Sequence, residues 1–204
     1  MPRRARVIPP RRGPLVSDLD GTIADTAPAI FESLHVVSAA FDVELKSDAD
    51  LSFALGPPLH WVLKELGVTD ERMSDAIAVF ETAHTERMSL VVPMPGAEIV
   101  IPELEAAGVS IGVATIKPKF IAKVVLRTIG LNGHVHSLHA RNDDMDPRTK
   151  TDLVRGALDE LAGDSPLYVG DHDNDELAAR ELGIRFLRYP ENSWNDIRAA
   201  VLDS

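Results

Sequence analysis

Two carboxylates one residue apart, Asp18 and Asp20, close a short apolar run and lead into a glycine turn in Ser17-Asp18-Leu19-Asp20-Gly21-Thr22-Ile23-Ala24-Asp25. If Leu15 to Asp18 are extended, alternation turns Asp18 and Asp20 to the same side, and the loop beyond lets both point at one ligand. Like charges that close repel unless a cation sits between them or one takes a proton. The first remedy makes a metal site and the second an acid catalyst. Taken alone, an Asp-x-Asp is a polar turn with solvated side chains. Three later segments give the chemical reading weight. Val109-Ser110-Ile111-Gly112-Val113-Ala114-Thr115 is an apolar strand ending in a hydroxyl, Lys150 lies in Arg148-Thr149-Lys150-Thr151-Asp152-Leu153-Val154, and Leu167-Tyr168-Val169 runs into Gly170-Asp171-His172-Asp173-Asn174-Asp175. Each has an ordinary counterpart: a strand-end threonine, a solvated lysine, and aspartates that shape a turn and cap a helix. A lysine at a helix start opposes the helix dipole, which speaks for a task.

In their order and separation these four segments resemble the motifs of the haloacid dehalogenase superfamily, and within it the phosphoglycolate phosphatase-like branch with a helical cap. The resemblance extends along almost the whole chain. It implies a magnesium-dependent phosphoric monoester hydrolase in which Asp18 is the nucleophile and forms an aspartyl phosphate. Asp20 then protonates the leaving alkoxide and later activates water. Thr115 donates to a phosphoryl oxygen, and Lys150 neutralises charge on nucleophile and phosphoryl group. The implied Mg²⁺ set is Asp18, the main-chain carbonyl of Asp20, and Asp171, with Asp175 orienting a coordinated water. The substrate classes implied are phosphoglycolate, sugar phosphates and nucleoside monophosphates. A phosphomutase on the same core, or a non-catalytic binding or regulatory module, stays open as an alternative. A dehalogenase fits less well, because a halide leaves without a proton and Asp20 would have no task. The sequence departs from the family pattern at Ser17, at Ile116 where Asn or Ser is frequent, and at His172 where a small residue is usual.

The chain has 204 residues, 45% hydrophobic, enough for one substantial core and a small accessory domain. Its net charge of −11 argues against a nucleic-acid polymer as partner, since the phosphate backbone demands a positive surface. An acidic enzyme still binds a phosphate when a divalent cation and a lysine correct the charge locally. Zero cysteines exclude disulfides and thiol catalysis and accord with a cytoplasmic setting. No apolar run approaches the ~20 residues of a membrane span, and the N-terminal arginines precede no apolar stretch of signal-peptide kind. Residues 1–13 alternate Arg with Pro and read as a mobile basic arm.

Strands are expected at 14–18, 109–115, 134–139, 166–170 and 184–188, with helices near 97–107, 118–129, 150–162, 174–182 and 193–203. This is a doubly wound parallel five-stranded α/β sheet, whose strand ends would bring Asp18, Thr115 and Asp171 together at their carboxyl side. The core is then 14–23 and 93–204, and 24–92, with apolar stripes at Ile30/Leu34/Val37/Phe41 and Met73/Ile77/Phe80/His84/Met88, reads as an all-helical cap. Asp25 or Thr26 would cap its first helix. His60, Trp61 and Lys64 are the cap side chains expected to bear on specificity. Pro102 predicts a kink in the helix after Gly96, or a later start. His134 and His136 on one strand face, with His139, read as an edge-strand surface rather than a metal cluster.

Overall fold

The computed structural model describes residues 12–45, 48–161 and 163–203. The first half of the chain gives β1 (Leu15–Ser17), β2 (Ala24–Asp25), α1 (Ala27–Phe41), α2 (Leu59–Glu65), α3 (Met73–Glu86) and β3 (Val92–Pro93). The second gives α4 (Ala97–Ala106), β4 (Ile111–Pro118), α5 (Lys119–Thr128), β5 (Ser137–Arg141), α6 (Lys150–Glu160), β6 (Leu167–Gly170), α7 (Asp173–Leu182), β7 (Arg185–Arg188) and α8 (Trp194–Leu202). Five strands form one parallel sheet in the order β5-β4-β1-β6-β7. Chain direction therefore reverses its march across the sheet at β1, the place where such folds open a crevice at the strand ends.

Alternation along the strands explains the two covering layers. Leu15, Ile111, Val113, Leu167 and Val169 pack with buried faces of α4, α5 and α8, while Val16, Ala114 and Tyr168 pack with Leu153, Val154, Ala157, Ala178 and Ala179 of α6 and α7. A parallel sheet buried on both sides needs such near-continuous apolar strands. Ser17 stands out, yet it is fully buried and its hydroxyl donates to the Asp18 carbonyl at 2.8 Å. Its polar atom is thereby satisfied without a bulky apolar replacement.

Residues 24–92 are not helical throughout. Ala24–Asp25 and Val92–Pro93 pair antiparallel, so the segment leaves and re-enters the core through a two-stranded ribbon. The helices between have a hydrophobic cluster of their own, built on Leu34, Val37, Phe41, Val62, Leu63 and Phe80. Thr26 is the residue before α1 but makes no side-chain cap; the Asp25 carboxylate accepts from the Ala27 N–H at 3.2 Å instead.

Three other expectations shift. Helix α4 starts at Ala97 and runs through Pro102 without a later start, because Val100, Ile101 and Leu104 bury its inner face. β4 reaches Pro118, with a register irregularity between Thr115 and Pro118. β5 begins at Ser137, so His134 and His136 precede the strand: His136 Nδ1 accepts from the Ile111 N–H, and His134 and His139 meet Glu105 and Glu160 separately. Of the expected basic arm, residues 1–11 lie outside the described residues, while Arg12 donates to the Leu202 carbonyl at 3.2 Å.

Candidate active site

The carboxyl ends of β1, β4 and β6 lie side by side, with Ser17 level with Val113 and Val169. Asp18 follows at once, and its N–H donates to the Val169 carbonyl at 2.8 Å. The next residue after β6 is Asp171, opposite the turn at Gly21. A side chain at Gly21, whose φ is 73°, would collide with the Asp171 carboxylate, so a glycine is required twice over. Any Cβ at Gly170 would likewise strike Asp175. The Thr22 hydroxyl donates to Asp171 Oδ1 at 2.9 Å, and the indole N–H of Trp194, on α8, donates to the Thr22 carbonyl at 3.1 Å. The loop that carries both aspartates of the first motif is thus tied from two sides.

Asp18, Asp171 and Asp175 each present an oxygen within 4.8 Å of the others. Lys150, first residue of α6, reaches across the sheet end to Asp18 Oδ1 at 2.7 Å and Asp175 Oδ1 at 3.0 Å. A capping box of Thr149 and Asp152 starts α6 and fixes where that lysine emerges. Asp175 is fully buried: the Tyr168 hydroxyl donates to its Oδ1 at 2.6 Å and the His172 N–H to its Oδ2 at 3.0 Å. The Asp20 carboxylate is outside this trio. Its Oδ1 accepts from the Thr26 hydroxyl at 2.5 Å and pairs with Lys117 Nζ at 3.2 Å. Thr115, buried, lines the same cavity, its hydroxyl accepting from the Lys117 N–H at 3.2 Å.

Electrostatics at this point are short of positive charge. Burial raises the Asp18 pKa, countered in part by Lys150 and pushed further by Asp175, Asp171 and Asp20. Burial also raises Asp171, with Thr22 opposing and Asp175 adding to the shift. Lys150 loses by burial, but Asp18 and Asp175 hold its pKa above the ordinary lysine value. Four carboxylates meet two ammonium groups here. All-oxygen ligands with excess negative charge suit a hard divalent cation.

A cavity of about 730 Å³ opens from these strand ends to the helical segment above, lined by Asp18, Asp20, Thr115, Lys117, Lys150 and Asp171 below. The roof is latched to the core: the Asp144 carboxylate accepts from the N–H groups of Leu59 and His60 at 2.8 and 2.7 Å, and meets His60 Nδ1 at 2.8 Å. The family model of haloacid dehalogenase-like hydrolases matches residues 15–189.

The chain belongs to that family. It is similar to a tyrosine-protein kinase PtkA of Mycobacterium tuberculosis, 27% identical over 173 residues that make up 83% of this chain, and it spans 59% of that relative's length. A phosphoglycolate phosphatase of Agrobacterium fabrum is 27% identical over 179 residues, covering 83% of this chain and 76% of the relative. The fold matches a crystal structure described as a predicted phosphatase from Clostridium acetobutylicum, with a TM-score of 0.78 and 21% identity over 95% of this chain and 99% of that one.

For a haloacid dehalogenase-like hydrolase the sequence reading located Asp18, Asp20, Thr115, Lys150, Asp171 and Asp175 at one end of the sheet, and all six converge there. It missed Lys117, Tyr168, Thr22 and Trp194 as supports. Lys117 carried a signal, lying two residues beyond Thr115 at a strand end, and so did Tyr168, seven residues before Asp175 in the same segment; Thr22 and Trp194 act through partners far away in sequence. His172 is the residue before α7, its Nδ1 accepting from the Asn174 N–H at 3.3 Å. Ile116 lines the cavity and has only its main chain to offer a phosphate. His60 meets Asp144, and Trp61 and Lys64 are absent from the lining.

Proposed function

We propose that this chain is a magnesium-dependent phosphatase of small phosphomonoesters, working through a phosphorylated Asp18. The observation that carries the reading is the buried Lys150 ammonium 2.7 Å from Asp18 Oδ1, with a second carboxylate, Asp20, held apart in the same cavity by Thr26 and Lys117. Asp18 attacks phosphorus while the bond to the alcohol oxygen breaks, and Asp20 gives its proton to the departing oxygen. Asp20, now a carboxylate, takes a proton from the water that attacks the phosphoryl group on Asp18, so that phosphate leaves, Asp18 returns as a carboxylate and Asp20 as the protonated acid that began the cycle. Lys150 and Thr115 counter charge on the transferring group. Asp175, clamped by Tyr168 and the His172 N–H, orients Lys150.

Asp18, the Asp20 carbonyl and Asp171 would hold magnesium, with Asp175 behind them. Bound there, it supplies the positive charge that lets an anionic nucleophile approach an anionic ester. A small-molecule phosphate ester as partner and a cytoplasmic setting belong to the same proposal. The absence of cysteine supports the setting, and no helix among the described residues is long and apolar enough to cross a membrane.

The test is phosphate release from a panel of phosphomonoesters with and without Mg²⁺, using Asp18→Asn as the blank. We expect metal-dependent release that Asp18→Asn lowers at least 10³-fold while retaining the fold by circular dichroism. Undiminished turnover in Asp18→Asn would sink the mechanism.

A further inference from the structure

The roof of the cavity carries no cation among the described residues. Among the described residues, every Lys or Arg in its lining, namely Lys117, Arg141 and Lys150, comes from the core side. Lys117 is paired with Asp20, Lys150 with Asp18 and Asp175, and Arg141 donates from Nε to the Arg148 carbonyl at 3.1 Å. The helical segment contributes Leu34, Leu55, Val62 and Phe80, together with two carboxylates, Asp25 at its entry and Glu81 in the roof, and one imidazole, His84. Burial and the nearby Asp144 and Asp143 raise the Glu81 pKa, so this wall already resists a further negative charge.

His84 is the odd member. It is 1% exposed, it stacks on Phe80 with ring centroids 5.4 Å apart, and only the Ala29 carbonyl is near enough to take a proton from its ring, so at least one ring nitrogen has no hydrogen-bond partner among the described residues. The Ala29 carbonyl beside it already accepts the Ser33 hydroxyl at 2.6 Å. Burial and the Lys117 charge bring the imidazole pKa down to about 3, so the ring is neutral, one nitrogen donating and the other accepting. Polar atoms buried without partners are rare, and those that line a cavity find them in what the cavity binds.

We infer that the substrate is the phosphate ester of an uncharged, largely apolar alcohol bearing a neutral hydrogen-bonding group that His84 contacts. This deepens the phosphatase reading and rests on it. A second anion, such as the carboxylate of phosphoglycolate, would instead face Glu81 and an apolar wall, with no cation among the described roof residues to meet it.

The test uses esters of primary alcohols and compares enzyme variants on a ratio of two of them, which cancels differences in leaving-group reactivity: phosphoglycolate, its amide, its N-benzylamide, and 4-phenylbutyl phosphate, which matches the N-benzylamide in length but lacks the amide. With the full chain and Mg²⁺, kcat/KM should rise from carboxylate to amide to N-benzylamide, by at least tenfold overall. His84→Phe should lower the ratio of kcat/KM for the N-benzylamide over the phenylbutyl ester at least fivefold, and His84→Asn should restore part of it. A phosphoglycolate value equal to or above that of the N-benzylamide overturns the inference, as does a ratio unmoved by His84→Phe in folded protein. Should no ester turn over, the catalytic reading fails by itself, and calorimetric affinities for the same esters then decide. Tighter binding of the N-benzylamide upholds the substrate class, whereas equal or absent binding overturns it.

Discussion

At the scale of single residues, the site depends on groups that hold other groups. Asp175 has both oxygens engaged, and the Tyr168 hydroxyl at 2.6 Å is what sets its rotamer beneath Lys150. Burial and the adjacent Asp175 raise the Tyr168 pKa, so the phenol stays protonated and keeps donating. Tyr168→Phe therefore leaves a buried carboxylate short of a donor. A hydrogen bond to a charged group contributes about 1.5–3 kcal/mol, and urea denaturation should report a loss of that size. Because Lys150 then loses its orientation toward Asp18, kcat should fall while KM changes little; a fall confined to stability would reduce Tyr168 to a structural role. The sequence shows the groups proposed to do the chemistry because four segments carry them in a telling order and separation, although each type alone is ordinary for a turn or a strand end. It hides their supports, since Thr22 meets Asp171 across 149 positions and Trp194 meets Thr22 across 172.

Among elements, the decisive joint is the loop between β5 and α6, which must deliver Lys150. Asp146 organises it, accepting from the N–H groups of Asn142 and Arg148 and from the Arg148 guanidinium, whose Nη2 also donates to the Ala140 carbonyl at 2.7 Å. Those bonds from Arg148 and Asn142 hold the Asp146 pKa well below the usual carboxylate range. A depressed carboxylate stabilises the fold fully above its unfolded value, near 3.9, and that contribution fades as pH falls toward the folded value. Asp146→Asn should thus be less stable than the parent by a margin that is constant from pH 7 to about 5 and narrows below about 4, read from denaturant midpoints. A margin independent of pH would mean that shape, not charge, is what Asp146 supplies. This joint also marks where pattern reading stops. The alternation through Val135 predicts a strand from 134, but the strand begins at Ser137, where the register with Gly112 starts. The apolar periods of α1 and α3 were legible because they face one local cluster, whereas the ribbon of Ala24–Asp25 with Val92–Pro93 depends on two short segments meeting from either side of the helical insert.

For the whole molecule, an acidic chain of net charge −11 keeps part of its excess where it is least tolerable, in four carboxylates around one strand end with two ammonium groups between them. Folding without a counter-cation buries those charges and holds them together against their repulsion, and burial first, then the neighbouring carboxylates, raise the pKa values of Asp18 and Asp171. A divalent ion that binds the folded chain but not the unfolded one relieves this and shifts the folding equilibrium by mass action, about 2.7 kcal/mol at a hundredfold excess over its Kd. For a protein of this size each kcal/mol moves Tm by about 2–4 °C, so saturating Mg²⁺ should raise Tm by roughly 5–10 °C and chelation should reverse it. Asp171→Asn separates this from a general salt effect. Removing one carboxylate relieves repulsion, so the metal-free Tm should hold or rise, while the response to Mg²⁺ should vanish. The same rise in Tm from matched ionic strength of NaCl would show screening alone. A Mg²⁺ response kept by Asp171→Asn would place the ion elsewhere on this acidic surface.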